Sequence, residues 1–249
     1  MNFKKEVISV FRNLVLEDGG LWAHFPWRDL PLKHGFSTVL AGNMALEFGE
    51  REAIENRERF FRLLKHPQEE TVFINPQHRD EILFFKRYPT VFYPECDGVI
   101  IAASRVGIML LSADCLPVIL WGKIENHNFV GLVHAGRKGT ELKITAKAID
   151  LLVQRGVKAE DINIAIGPAI HACCYRDGKK RIDLIRKNIQ QALDKGVSIT
   201  NIIVARECTC CAKGSDGKPI FFSHHRAKTH NEKEGRFIAF VAASEKEGS

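Results

Sequence analysis

Apolar positions along the chain follow two rhythms, one helical and one strand-like, and the change between them sketches the fold. Phe3, Val7, Val10, Phe11 and Leu14 recur at helical spacing and predict a short amphipathic helix over residues 3–15. Residues 32–39 read as a strand that runs into a tight LAGN loop, and residues 47–65 as a strongly charged helix with Ile54, Phe60, Phe61 and Leu64 inward. Six short runs rich in β-branched and apolar residues follow, at 71–75, 81–85, 97–103, 106–113, 117–121 and 128–135. Several are continuously apolar rather than alternating, which predicts strands covered on both faces. Past His134 the helical rhythm returns, with Leu142, Ala146, Ile149 and Val153 on one face and a stop at Gly156. A strand at 162–167, a helix at 182–195, a strand at 199–204, a Cys-rich loop and a last strand near 236–242 complete the pattern. Successive strands with helices outside them predict one α+β domain of mixed sheets spanning residues 1–249.

Composition adds limits. With 249 residues, 45% of them hydrophobic, the chain can bury a sizeable core. The polar run 244–249 reads as a loosely held end. The opening segment carries Lys4 and Lys5, but its apolar stretch is broken by Arg12 and Asn13 and has no small-residue cleavage site, so it does not read as a signal peptide. No run reaches the roughly 18 apolar residues that span a bilayer. A cytoplasmic protein without a membrane partner is expected, with its seven cysteines as thiols, metal ligands or nucleophiles rather than disulfides.

The formal charge of +6 is concentrated: residues 171–236 hold 14 Lys and Arg against 7 Asp and Glu. A solvated basic face is one reading, and an anion-binding face for phosphorylated substrates or nucleic acid is another. No aromatic–basic interleaving of a nucleic-acid motif accompanies it, so nucleic acid is not the expected partner.

Candidate chemistry sits in three segments, NPQHRD (75–80), SADCLP (112–117) and LVHAGRKGT (132–140). Each sets a metal-capable residue, His78, Cys115 or His134, at a strand end beside a loop, where a sheet fixes a side chain that the loop exposes. Three such ligands suit a zinc ion with one position left open, a centre that lowers the pKa of bound water to about 7. The spacing matches no compact zinc motif, so a buried Cys with two hydrogen-bonded histidines stays open as a reading, as does a Cys115 nucleophile activated by a His. The helix after His134 offers unpaired N–H groups beside Arg137 and Lys138, either an anion site or simple packing. Asp114 could act as an acid/base group only where the strand has already broken. The segment ECTCC (207–211), with Cys173, Cys174, His224 and His225, could form another metal site, but its C-x-C-C spacing is not a zinc-finger spacing, which favours structural or incidental thiols.

At these segments the sequence resembles the YfiH-like family, labelled polyphenol oxidase or laccase-domain and also described as multifunctional purine nucleoside phosphorylases. HGFST (34–38) and Asn43 are similar to that family's HGFSTR and downstream Asn, Gln77–His78 to its QVH, and ADCLPV (113–118) is very close. HAG (134–136), IGPAI (166–170), Tyr175, Cys208–Thr209, Phe222–Ser223, Arg226 and Gly235–Arg236 follow in order. The resemblance implies a four-layer α/β/β/α architecture and a zinc held by His78, Cys115 and His134. It also implies phosphorolysis of adenosine, inosine and 5′-methylthioadenosine to free base and pentose 1-phosphate, with deamination of adenosine. Cys115 and Asp114 are then the catalytic candidates. Lys138 and Arg226 are candidates for phosphate, and Ser37 and Asn43 for polar contacts to substrate. The chain departs from the pattern at Val39, where the family has Arg, at Arg137–Lys138 in place of Trp–Arg, at Arg79 in place of Gly, and at His224–His225 in place of Tyr–Arg. An Arg-to-Lys exchange loses bidentate phosphate recognition. The alternatives are a cysteine amidase on a peptidoglycan precursor, since some members are named peptidoglycan editing factors, and a copper-dependent phenol oxidase. The latter needs several coppers, for which no HxH pair is present. A monomer or homodimer is expected.

Overall fold

The computed structural model describes residues 10–26, 32–87, 93–103 and 105–243. The chain starts with three short strands, β1 (Phe11–Arg12), β2 (Val15–Glu17) and β3 (Trp22–His24), then β4 (Leu32–Ser37) and α1 (Glu50–Leu64). Next come β5 (Thr71–Ile74), β6 (Ile82–Phe85), β7 (Gly98–Ile101), β8 (Gly107–Ser112), β9 (Leu116–Ile124) and β10 (His127–Ala135). Two helices, α2 (Arg137–Glu141) and α3 (Ile144–Val153), lead to β11 (Asn163–Ile166) and a small hairpin, β12 (Arg176–Asp177) and β13 (Lys180–Arg181). The chain ends with α4 (Leu184–Asp194), β14 (Ile202–Ala205), α5 (His224–His230) and β15 (Phe237–Ala243).

Two large mixed sheets result, a seven-stranded one in the order β1-β14-β11-β9-β10-β7-β6 and a six-stranded one in the order β2-β3-β4-β15-β8-β5. Alternate residues of the inner strands serve different cores, which explains the continuous apolar runs. On β9, Val118 and Leu120 pack with Ile144, Ala148, Ile149, Leu152 and Ile189 of the helices, while Ile119 and Trp121 pack with residues of the other sheet. On β15, Phe237, Ala239 and Val241 join that inter-sheet core, while Ile238 and Phe240 pack with Phe60, Phe61 and Leu64 of α1. Phe240 meets Phe61 edge to face at 5.6 Å between ring centres. Each such fully buried side chain contributes about 1.5–3 kcal/mol.

The structure corrects several elements. Residues 3–9 of the expected N-terminal helix lie outside the described residues, as does the tail 244–249, and residues 11–12 and 15–17 are strands. Phe11 and Arg12 pair with Val204 and Ala205, so strand pairing overrides a helical spacing too short to hold alone. Ile54 is 44% exposed, and the buried face of α1 is instead Ala53, Asn56, Arg57, Phe60, Phe61 and Leu64. The helix expected after His134 is two helices, because Lys143 adopts a left-handed φ of 63°. Leu142 and Val153 are therefore exposed, and Ile144, Ile149 and Leu152 fill the core. The strand expected at 199–204 begins at Ile202, after a turn of 3-10 helix. Helix α5 lies between the Cys-rich loop and the last strand, where the apolar pattern predicts no helix.

Candidate metal centre and cleft

The hairpin of β9 and β10 brings two of the three predicted ligands together. Its register pairs Pro117 with His134 and Leu116 with Ala135, so Cys115, one residue before β9, faces the end of β10. The third, His78, comes from the loop after β5, where its own φ is 55°. The ligand atoms of His78, Cys115 and His134 lie within 4.8 Å of one another. The two imidazoles stand nearly perpendicular at 4.8 Å between centres. His134 is buried, Cys115 half-buried and His78 exposed, so the group is open on one side.

Asp97 organises this cluster, and sequence reasoning missed it. It lies just before β7, which pairs with β10 through Gly98 and Val133. Its carboxylate is fully buried. Oδ1 accepts from His134 Nδ1 at 3.0 Å and from the backbone N–H of His78 at 2.9 Å, and Oδ2 accepts from that of Arg79 at 2.7 Å. One side chain thus fixes the His134 ring, leaves its Nε2 as the remaining donor and pins the loop that carries His78. Gly136 completes the fit by having no side chain. A Cβ there would stand 3.0 Å from Cys115 Sγ and 3.5 Å from both His134 Cε1 and His78 Cδ2.

Burial alone would raise the Cys115 thiol, but His134 and His78 outweigh it and bring it well below its ordinary value. Burial likewise opposes the charge on His134, which the Cys115 thiolate and Asp97 raise above its ordinary value. Two imidazoles and a thiolate, one imidazole held by a carboxylate and one side open, are a donor set that fits a catalytic zinc. Burial also pushes the Asp97 carboxyl up, and the hydrogen bonds from His134, Arg79 and His78 more than offset it, so its folded value is depressed. Asp97 therefore contributes stability that is present above the unfolded value of about 3.9 and is lost as pH falls through the lower folded value. In metal-free protein, Asp97→Asn is expected to lower stability at neutral pH and to flatten its fall in acid, as read by urea unfolding at several pH values. Zinc affinity is expected to drop about 10–100-fold in the same variant.

A cleft of about 700 Å³ opens over the cluster, within the range of small-molecule sites. Phe73, Ile74, Leu111, Ile170 and Leu184 give it apolar walls, Tyr175 an aromatic face, and Arg137, Lys228 and Arg236 positive charge. Arg137 is shared with Asp177 at 2.8 Å and Glu141 at 3.4 Å, while Arg236 lies over the Phe48 ring. Helix α2 has only five residues, too short for the extended helix dipole expected after His134, so the cleft's positive charge comes from side chains.

The other predicted residues fall elsewhere. Lys138 is exposed and, with Arg226, Ser37 and Asn43, is not among the cleft-lining residues. Ser37 is fully buried, with Oγ accepting from Ile238 N at 2.9 Å. Asn43 Oδ1 accepts from Arg236 N at 2.9 Å and its Nδ2 donates to Ala45 O. Arg226 is buried and donates to the carbonyls of Thr209 and Phe221 and to Glu232. Asp114 does line the cleft, at a break between β8 and β9 with φ 97°, and it accepts from Thr209 Oγ1 and from the His225 backbone N–H, each at 2.7 Å.

A family described as "Multi-copper polyphenol oxidoreductase laccase" matches residues 34–180 and 176–244. The chain is 28% identical to the purine nucleoside phosphorylase YlmD of Geobacillus stearothermophilus, over 87% of this chain and 89% of that protein. It is 30% identical to a purine nucleoside phosphorylase of Aquifex aeolicus, over 68% and 82% of the two chains. The crystal structure of the Bacillus licheniformis hypothetical protein YfiH superposes with a TM-score of 0.78 at 27% identity, covering 93% of this chain and 99% of that one.

Proposed function

Because the chain belongs to the multi-copper polyphenol oxidoreductase laccase family, whose curated relatives are named purine nucleoside phosphorylases, we propose that it is a zinc-dependent enzyme of purine nucleosides. Its reaction in this reading is phosphorolysis of adenosine, inosine and 5′-methylthioadenosine to free base and pentose 1-phosphate, with deamination of adenosine at the same site. The described residues then form one catalytic domain in four layers, α/β/β/α, a reading supported by the three separate cores on either side of the two sheets.

The observation that carries the proposal is the three-donor cluster His78–Cys115–His134 at a cleft lined both by an apolar wall and by Arg137, Lys228 and Arg236. Phosphorolysis bonds a phosphate oxygen to C1′ as the C1′–N9 bond breaks, and the bonding pair leaves with the purine, which takes up a proton. Arg137, Lys228 and Arg236 are the groups we assign to the phosphate, in place of Lys138 and Arg226, since these three face the cleft. Phe73, Leu111, Ile170 and Tyr175 supply apolar and aromatic surface for the purine ring. His78, Cys115 and His134 would hold the zinc, which when bound would supply Lewis-acid polarisation. Asp114 we read as a positioning residue, since Thr209 and the start of α5 occupy both its oxygens and so fix the loop that carries Cys115.

A second reading rests on Asp97, His134 and Cys115 as carboxylate, base and thiol nucleophile, the order of a cysteine amidase. Purified, zinc-loaded protein given adenosine decides between them. Adenine and ribose 1-phosphate formed only with phosphate support the phosphorylase, and inosine formed without phosphate supports the deaminase alone. Absence of all three products, with amide hydrolysis that survives chelation and stops on thiol alkylation, replaces the nucleoside reading with the amidase.

A further inference from the structure

Beyond the cleft, two loops far apart in sequence carry four cysteines to one place. β11 and β14 are parallel neighbours, so the loops that follow them leave the same end of the sheet. The bridge between Ala169 and Cys208, with Thr209 N donating to Ala169 O at 2.9 Å, holds the loops side by side. The first supplies Cys173 and Cys174, and the second Cys208 and Cys211. A tight turn, closed by Ala212 N donating to Cys208 O at 2.8 Å, sets Cys208 and Cys211 as a C-x-x-C pair. All four Sγ atoms lie within 4.8 Å of one another.

Two of the six separations exclude a disulfide and match a metal cage. Cys173 Sγ stands 3.7 Å from both Cys174 Sγ and Cys211 Sγ. A disulfide needs about 2.05 Å. Four thiolates at a zinc–sulfur distance of about 2.3 Å in a tetrahedron stand about 3.8 Å apart. The backbone is also arranged for a bound thiolate: His171 N donates to Cys208 Sγ at 3.4 Å. Cys208 is buried, while Cys173 and Cys211 are exposed and give an ion a way in. Cys210, a fifth thiol, interacts with Cys174 and Ser223 and lies outside the set of four.

We propose that Cys173, Cys174, Cys208 and Cys211 form a second metal site, a closed tetrathiolate that takes zinc and acts structurally. Four thiolates leave no open position, so this site does no chemistry on substrate. What it ties down is the cleft wall. The first loop carries Ile170 and leads to Tyr175, and the second carries Thr209, whose hydroxyl holds Asp114 beside Cys115. The inference is independent of which reaction the cleft performs.

The test uses the full chain, reduced and supplied with zinc alone. Native mass spectrometry of His78→Ala, which lacks a ligand of the cleft site, is expected to show one tightly held zinc per chain, lost in His78→Ala combined with Cys211→Ser and kept with Cys210→Ser. Since a Cys211 variant can fail to fold, alkylation of the unmutated chain provides a second reading. Zinc is expected to protect Cys173 and Cys211 from alkylation, and a chelator to expose them. Cobalt in place of zinc should give the intense visible bands of a tetrahedral thiolate centre. Folded His78→Ala that holds no zinc, equal alkylation rates with zinc and chelator, or a Cys173–Cys211 disulfide in freshly reduced protein would each overturn the site.

Discussion

Replacing His78 with Ala is expected to reduce kcat/KM for phosphorolysis by roughly a thousandfold or more, and Cys115→Ala to do the same. The magnitude follows from the several kcal/mol that a bound metal supplies to charge developing in the transition state, at about 1.36 kcal/mol per tenfold in rate. The two variants together are more informative than either alone. Cys115 is required whether it is a ligand or a nucleophile. His78 is indispensable only if it is a ligand, because the carboxylate–imidazole–thiol series runs through Asp97, His134 and Cys115, and beside a nucleophile His78 only helps His134 to lower the thiol. Equal losses in both variants, with less bound zinc, identify a metal centre. Activity kept in His78→Ala and lost in Cys115→Ala identifies a nucleophile. A structural effect is separable by thermal unfolding, since a ligand that binds only the folded state stabilises it. Zinc should raise the melting temperature of the unmutated chain by more than that of His78→Ala, while the two coincide under chelation, because His78 is exposed and its ring fills no core position.

Much of this centre was legible in the chain because strand ends are legible. Cys115 and His134 flank runs whose continuous apolarity marks strands covered on both faces, and the hairpin register then sets them opposite each other. The inner strands were placed well for the same reason. What stayed hidden depends on pairings that no local pattern records. Asp97 opens an apolar run, where an acidic residue looks like a turn, and only the pairing of β7 with β10 reveals it as the partner of His134. Cys173 and Cys174 are separated from Cys208 and Cys211 by α4 and β14, so spacing argued against a compact metal motif, and only the fold shows that one sheet end gathers these four without His224 and His225. The basic surplus over 171–236 was compatible with a solvated face as well as an anion site, and only the fold shows that Lys228 and Arg236 line the cleft while Arg226 is buried. Helical spacing misled for Phe11 and Arg12, which gain more from β14 than the end of a short helix could offer.

Arg226 is the position where the sequence and the geometry point to different experiments. Its motif suggested a contact to substrate, but its guanidinium is spent inside the protein. Nη1 donates to Thr209 O at 2.6 Å and to Cys210 O at 3.3 Å, Nη2 to Phe221 O at 2.9 Å, and Nε to Glu232 at 2.8 Å. It therefore binds the 209–210 loop and the approach to α5 to each other, and through Thr209 and the His225 N–H both segments hold Asp114. Arg226→Ala removes every one of these donors at a site 8% exposed, where water cannot fully replace them. With about 1–3 kcal/mol for each group left unsatisfied, a loss of roughly 3 kcal/mol is expected. For a chain of this size that lowers the melting temperature by roughly 6–12 °C. Arg226→Lys should recover little of it, since an ammonium cannot reproduce the planar fork that reaches three carbonyls. Assayed well below its melting temperature, Arg226→Ala should keep a phosphate KM within about twofold of the unmutated enzyme, because the contacts it loses are worth stability rather than charge in the cleft. The opposite pattern, an unchanged melting temperature with a phosphate KM raised tenfold, would return Arg226 to the substrate and require its guanidinium to leave the two loops when phosphate binds.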